Sequence, residues 1–228
     1  MKIKLLIPFF ALTALTIASC KKESDVSGKV SYKINPTNFT ASVLSSTKDS
    51  HSISEANTIT WTSGNISISE IDFEAKKEGM EFEYELKRLV TVDLFNLSPI
   101  LGSVTIPEGT YDEVELKLDL RKTTTDAVPL ILKGHYTNPN GVVIPIEFSC
   151  NEDIEVKVEA ENVVVGSSDQ IGMINLQLNK FLKNISLSDL GQVTKTDGKI
   201  IISSTSNAGL YNKIKLNFDF IGDCDFED

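Results

Sequence analysis

Residues 113–120 read Glu113-Val114-Glu115-Leu116-Lys117-Leu118-Asp119-Leu120, and apolar and charged side chains alternate along the whole stretch. Successive side chains of a β-strand point to opposite faces of the sheet, so the apolar residues would share one face and the charged residues the other. The stretch therefore predicts a strand that buries one face and exposes a charged one.

The same alternation recurs on both sides of this strand. Further runs lie at residues 66–73, 82–92, 142–148 and 154–160, and shorter ones at residues 30–34, 174–178 and 199–202. The apolar parity changes between Ile68 and Ile71, which predicts a β-bulge near Glu70. Pro107-Glu108-Gly109 and Asn138-Pro139-Asn140-Gly141 are typical of turns between strands. Seven or more strands separated by turns favour a mainly β fold, an antiparallel β-sandwich.

Three stretches are less regular. Residues 36–58 are rich in Ser and Thr and predict a long loop or an edge excursion. Residues 178–190 predict a short helix, because Phe181, Leu182 and Ile185 have helical spacing. Residues 206–221 fit both a strand and a helix, and periodicity does not separate the two. We therefore expect one or two short helices near the C-terminal third of the sandwich.

The N-terminus has the parts of a secretory signal. A basic start, Met1-Lys2-Ile3-Lys4, is followed by an apolar run over residues 5–17 and by Ile17-Ala18-Ser19-Cys20. The apolar run is shorter than the ~20 residues that a membrane-spanning helix needs, so a cleaved signal is the better interpretation. The sequence therefore predicts a signal at residues 1–19, a tether at residues 20–27 and one domain at residues 28–228.

Ile17-Ala18-Ser19-Cys20 resembles the lipobox of bacterial lipoproteins. The resemblance implies that Cys20 carries the lipid and that the partner of the N-terminus is a membrane. Residue 21 is a lysine, whereas an aspartate there would resemble an inner-membrane retention signal. The charged residues 21–25 resemble the surface-export signal of Bacteroidetes-type lipoproteins, which implies an outer-membrane location and an outward orientation.

Charge and cysteine content restrict the function further. The whole chain has formal net charge −10, and the predicted signal contains two lysines and no acid, so the remainder carries −12. This balance argues against a nucleic-acid partner, because phosphate binding requires clustered Lys and Arg. With Cys20 lipidated, Cys150 and Cys224 are left. They form either one disulfide, as an oxidising compartment favours, or two buried thiols.

Chemistry-bearing residues are sparse, and the sequence predicts no catalytic site and no cofactor. The acidic C-terminus is a weak calcium candidate, since carboxylates suit Ca²⁺, although a solvated tail is the simpler interpretation. Trp61, the single tryptophan, is a weak candidate for stacking on a ligand such as a sugar, and a core position is the alternative. The calcium candidates are Asp223, Asp225, Glu227 and Asp228.

Several motifs resemble an uncharacterised family of Bacteroidetes-type lipoproteins. They are the patterns at residues 65–73 and 92–94, the P-x-G-x-Y turn at Pro107-Glu108-Gly109-Thr110-Tyr111 and the residues 200–211. The resemblance implies an immunoglobulin-like or prealbumin-like sandwich, with a short helix at the ambiguous segment 206–221. It implies no established activity and no catalytic residue.

These features lead to one expected function and two alternatives. We expect a membrane-anchored cell-envelope protein that is a non-enzymatic binding or assembly module with a glycan or protein partner. A fimbria-like structural subunit, in which an edge strand pairs with another copy, is the first alternative. An envelope polysaccharide hydrolase or carbohydrate-binding protein is the second.

Overall fold

A computed structural model describes residues 26–43, 57–96, 100–125 and 127–227. The strands are β1 (Ser27–Thr37), β2 (Thr40–Ser42), β3 (Thr58–Lys77), β4 (Met80–Asp93), β5 (Ile100–Pro107), β6 (Gly109–Leu120), β7 (Leu130–Thr137), β8 (Val143–Cys150), β9 (Ile154–Val165), β10 (Gln170–Gln177), β11 (Lys195–Thr196), β12 (Lys199–Ile202) and β13 (Gly222–Glu227). The α-helices are α1 (Leu187–Gly191) and α2 (Ala208–Lys215), and 3₁₀ turns lie at Leu178–Leu182 and Phe218–Phe220.

The predicted signal, the predicted lipidation site Cys20 and the calcium candidate Asp228 lie outside the described residues, as does most of the Ser/Thr-rich stretch 36–58. The described part of that stretch contains the short strand β2. Within the described part of the chain, no helix is both long and apolar enough to cross a membrane.

The strands form two sheets of mixed orientation. The smaller sheet has the order β13-β10-β1-β5, and the larger has the order β11-β12-β8-β7-β3-β6-β9, with β2 and β4 also paired to β3. The mainly β sandwich class is confirmed, and most neighbouring strands are antiparallel. Two pairs, β1 with β10 and β8 with β12, run parallel, which side-chain alternation cannot reveal because it is the same in both directions.

Strand β3 organises the larger sheet, because its two halves have different neighbours. Its first half pairs with β2 and β7, and its second half pairs with β4 and β6. The bulge predicted near Glu70 is confirmed as a register shift between Ile68 and Glu70. A second shift, between Trp61 and Ser63, changes the buried positions from odd numbers (Ile59 and Trp61) to even numbers (Gly64, Ile66 and Ile68), and the shift near Glu70 changes them back.

The alternation predicted from the sequence corresponds to burial. On β6, Val114, Leu116 and Leu118 are buried while the charged residues between them face outward. The inward side chains of both sheets form one apolar cluster. The sheets approach each other closely at the β9–β13 edge, where a Cβ added to Gly222 would meet Val156 and Val158.

The P-x-G-x-Y turn joins β5 to β6. Gly109 has φ +151°, a value that other residues rarely adopt. Tyr111 then starts β6 with its ring fully buried, and its hydroxyl donates a hydrogen bond of 2.7 Å to the carbonyl oxygen of Pro107. The turn predicted at Pro107-Glu108-Gly109 is therefore confirmed.

Helical structure near the C-terminus resolves the ambiguous segments. The segment 178–190 contains a 3₁₀ turn and α1, and the segment 206–221 contains α2 and a second 3₁₀ turn. Helix α1 begins with a capping box, in which Ser186 and Asp189 bond each other's backbone N–H groups. Leu210, Tyr211 and Ile214 of α2 are buried. Of the two structures that the periodicity of this segment allowed, the helix is therefore the one that forms.

Candidate functional site

The outer face of the larger sheet carries a regular array of charges on β4, β3, β6 and β9. Cross-strand register aligns sixteen ionisable residues in four rows. In the order of the strands, the rows are Lys87, Glu70, Asp119 and Glu155; Glu85, Asp72, Lys117 and Lys157; Glu83, Glu74, Glu115 and Glu159; and Glu81, Lys76, Glu113 and Glu161. Twelve acidic and four basic side chains give this surface, here called the acidic face, a formal charge of −8.

Each lysine of the acidic face is shared between carboxylates. Lys76 Nζ lies 2.5 Å from Glu74 and 2.9 Å from Glu113, and Lys157 Nζ lies 2.8 Å from Glu115 and 2.6 Å from Glu159. The other two lysines behave in the same way: Lys117 pairs with Asp72 and Asp119, and Lys87 with Glu70 and Glu85. Four cations divided among twelve carboxylates leave the face strongly negative.

Crowding of the carboxylates perturbs their protonation. A hydrogen bond with Glu85 raises the pKa of Glu70, and hydrogen bonds with Glu70 and Lys87 lower the pKa of Glu85. Glu81 and Glu74 repeat the pattern: a hydrogen bond with Glu74 raises the pKa of Glu81, while hydrogen bonds with Lys76 and Glu81 lower that of Glu74. Neighbouring carboxylates therefore compete for the few available protons and cations.

Asp119 is the most deeply buried carboxylate of the acidic face, at 3% exposure. Its Oδ2 accepts a hydrogen bond of 2.8 Å from Arg121, but its Oδ1 has no hydrogen-bond partner within the described part of the chain. A buried acceptor without a donor costs ~1–3 kcal/mol.

The acidic face is open. It contains a depression of about 450 Å³ whose lining includes Asp72, Glu74, Glu83, Glu85 and Lys117. Three groups of carboxylates on the face bring their oxygens within 4.8 Å of one another, and none of the three is a closed cage. They are Glu70, Asp72 and Glu85; Glu74, Glu113 and Glu115; and Glu74, Glu81 and Glu83.

The sequence showed only part of this site. The alternating charged residues at 113–119 and 155–159 predicted the solvent-facing sides of two strands. The sequence did not show that β3 and β4 add two more columns of charged residues in register with these. Contacts between residues that are distant in sequence decide which strands are neighbours. The signal that could have revealed the site is the same charged parity on four runs of alternating residues.

The calcium candidates Asp223 and Asp225 lie on the smaller sheet, and the side chains of the other two, Glu227 and Asp228, fall outside the described part of the chain. Residues 222–227 form strand β13 rather than a solvated tail. Asp223 Oδ1 accepts from the backbone N–H of Cys224, and Asp225 Oδ2 accepts a hydrogen bond of 2.8 Å from Asn175. Among the described residues, the carboxylate groups close enough to share an ion do not include these two aspartates.

Trp61 is a core residue, which corrects its assignment as a ligand-binding candidate. Its side chain is 2% exposed on β3, opposite Gly134 of β7. Glycine suits this position because a Cβ there would collide with the Thr60 backbone. The indole Nε1 has no hydrogen-bond partner among the described residues. The tertiary packing therefore places the ring out of reach of a solution ligand.

Cys150 and Cys224 are free and buried, which agrees with the second of the two alternatives left open by the sequence, two buried thiols. Cys150 ends β8 in the larger sheet, and Cys224 lies on β13 in the smaller sheet. Burial raises the pKa of both, that of Cys224 to about 12 with contributions from Asp225 and Asp223. Thiols held in the protonated form are poor nucleophiles.

A polar network surrounds Cys150. The hydroxyl of Tyr211 lies 3.2 Å from Cys150 Sγ and donates a hydrogen bond of 2.7 Å to Glu152. Lys215 forms an ion pair with the same carboxylate. Desolvation raises the pKa of Tyr211, and Lys215 lowers that of Glu152. The network fastens α2 to the end of β8, which is a structural role.

Comparison of the chain with protein-family models, with curated proteins and with solved structures finds no match.

Proposed function

We propose that this chain is a lipid-anchored, non-enzymatic module of the cell envelope that binds a cationic partner through the acidic face. The observation that supports the proposal is the array of twelve carboxylates and four lysines on four neighbouring strands. A single-sign surface raises the local concentration of an oppositely charged partner and speeds its association.

The shape of the acidic face favours a macromolecular partner. A hydrolase would need convergent carboxylates in a deep cleft, whereas the carboxylates of this face are spread over an open sheet. A polypeptide segment rich in Lys and Arg could place one cation opposite each row of carboxylates. We expect the strongest contact at the row that contains no lysine, which consists of Glu83, Glu74, Glu115 and Glu159.

The anchor rests on the sequence, where Ile17-Ala18-Ser19-Cys20 resembles a lipobox. The described domain starts at Val26, six positions after Cys20. An extended chain spans at most ~3.6 Å per residue, so a lipid on Cys20 would hold the domain within roughly 20 Å of the bilayer. The family resemblance extends this proposal to the outer membrane and an outward orientation.

The fimbria-like alternative depends on a free edge strand. Among the described strands, β4 pairs with β3 alone, and it is exposed along most of its length. It also carries a bulge opposite Ser69 and the exposed charges of Glu81, Glu83, Glu85 and Lys87. Charges and bulges on an edge strand oppose pairing with another copy. We therefore rank assembly below partner binding.

The binding proposal is tested with the full chain purified in detergent and a lysine octapeptide as the probe. We expect isothermal titration calorimetry to detect binding that weakens steeply as salt is raised. The triple variant Glu74→Gln, Glu83→Gln, Glu115→Gln should bind at least about tenfold more weakly, because it neutralises the row without a lysine.

The control removes the same number of charges elsewhere, with Asp169→Asn, Asp197→Asn and Asp223→Asn. If both triple variants lose affinity equally, net charge rather than the acidic face is responsible, and the proposal fails. The anchor has its own test: mass spectrometry of the mature chain should find acyl groups on Cys20, and Cys20→Ala should release the chain from membranes.

A further inference from the structure

A groove lies where β1 ends beside the segment that follows β4. It has a volume of about 390 Å³, within the ~300–1,000 Å³ typical of small-molecule sites. The groove is built from strands β1 and β10 of the smaller sheet and from the turns at Phe39 and Phe95. Side chains that line it include Lys33, Asn35, Phe39, Phe95, Asn96 and Met173.

The charge of this groove differs from that of the acidic face. Among the described residues that line it, the one charged side chain is that of Lys33, although the chain has 32 acidic and 22 basic residues. Lys33 makes no ion pair with any described residue, whereas each lysine of the acidic face is shared between carboxylates. An ammonium group that makes no ion pair with a described residue, in a groove whose described lining has no carboxylate, is suited to an anionic ligand.

Two acids near the groove are already engaged by donors. Asp93 accepts from the backbone N–H of Phe95 at 2.9 Å and from Asn96 Nδ2 at 2.8 Å. Asp225 accepts from Asn175 Nδ2, whose own Oδ1 accepts a hydrogen bond of 2.7 Å from Asn35. These bonds orient the amides of Asn35 and Asn96, which offer both donors and acceptors to a ligand.

The apolar part of the groove is an aromatic pair. The ring centroids of Phe39 and Phe95 are 5.0 Å apart and their planes are tilted by 45°. Phe39 is 38% exposed, so one ring is accessible to solvent. A flat apolar surface beside amides and one cation matches a ligand that has an apolar face, many hydroxyl groups and a negative charge.

We propose that the groove between Phe39 and Lys33 binds an acidic saccharide, a sugar that carries a carboxylate. The apolar face of the sugar ring packs on Phe39, its hydroxyl groups bond the amides of Asn35 and Asn96, and its carboxylate pairs with Lys33. The site is separate from the acidic face, and it requires neither the lipid on Cys20 nor a cationic partner.

The test uses the full chain in detergent and trigalacturonic acid as the probe, with maltotriose as the neutral comparison. Calorimetry at low salt should detect binding of trigalacturonic acid and a preference of about tenfold or more over maltotriose. Lys33→Met retains the apolar stem and should abolish the preference. Phe39→Ala should weaken the binding of both saccharides.

Matched controls distinguish the groove from the general surface. Lys29→Met removes a lysine of the same strand and the same outward parity, and Phe220→Ala removes an exposed phenylalanine outside the groove. Neither should change the affinity. The proposal is overturned if trigalacturonic acid does not bind, if maltotriose binds equally well, or if Lys33→Met and Lys29→Met have the same effect. Thermal unfolding verifies that each variant is folded.

Discussion

Glu74 on β3 lies directly opposite Glu83 on β4, and its neighbour on the other side, on β6, is Glu115. Like charges directly across a sheet are destabilising. Lys76 pairs with Glu74, and Lys157 pairs with Glu115 and Glu159, whereas Glu83 makes no ion pair with a described residue. The contact between Glu74 and Glu83 is therefore the part of the row that we expect to cost stability, and it is located on the surface that we propose for binding.

Removal of the Glu83 charge from this row should stabilise the domain. Glu83→Gln removes one of two opposed charges and should raise the free energy of unfolding by about 0.2–1 kcal/mol. Glu159→Gln in the same row should lower it, because Glu159 pairs with Lys157 at 2.6 Å. Urea unfolding measures both changes. At about 1 M salt, where the screening length is ~3 Å, the two effects should shrink; effects of the same sign would contradict the electrostatic account.

The Glu152 ion pair should make stability depend on acid pH. Lys215 and Tyr211 lower the pKa of Glu152 in the folded state. The contribution of Glu152 to the free energy of unfolding is therefore complete above its pKa in the unfolded chain, ~4.3. It is lost as pH falls through the lowered pKa of the folded state. Glu152→Gln should cost about 0.2–1 kcal/mol at neutral pH, the range for an exposed pair, and nothing near pH 2. A cost in urea unfolding that is equal at both pH values would rule out the ion pair as its source.

Trp61 should report core packing rather than ligand binding. Its fluorescence should be blue-shifted in the folded chain and should not respond to saccharides, since the ring is buried. Trp61→Ala should destabilise the domain by about 3–5 kcal/mol. Trp61→Phe should cost less, because it retains an aromatic ring and removes an indole N–H that lacks a partner. Efficient quenching by acrylamide in the folded state would show that the ring is exposed.

The two thiols should react only after unfolding. The folded chain should not react with a thiol reagent near neutral pH, because Cys150 and Cys224 are buried and their pKa values are raised. Both should react in denaturant without prior reduction. If denaturant releases no thiol until a reductant is added, the cysteines form a disulfide after all.

The hydroxyl of Tyr111 should stabilise the turn between β5 and β6. Tyr111→Phe removes a buried hydrogen bond of 2.7 Å to Pro107 and should cost about 0.5–1.5 kcal/mol. Tyr84→Phe is the matched control, since its hydroxyl also bonds a backbone carbonyl but its side chain is 41% exposed. We expect a smaller loss for the control in urea unfolding; equal losses would mean that burial of the hydroxyl adds nothing.

Local patterns explain which parts of this fold were predictable. The strand at residues 109–120, the bulge near Glu70 and the Tyr111 turn follow from alternation and turn chemistry among residues close in sequence. The parallel pairing of β1 with β10 joins residues about 140 positions apart. Such a pairing cannot be predicted from patterns among residues that are close in sequence.

The sequence by itself determined which residues of each strand face the core, because the pleat forces neighbouring side chains to opposite sides. It also specified the expected anchor at Cys20. Only the tertiary structure decided that four charged strand faces align into one acidic face, that Trp61 is buried, and that Cys150 and Cys224 lie on different sheets. These outcomes depend on which distant strands become neighbours, and burial of the whole core selects those pairings.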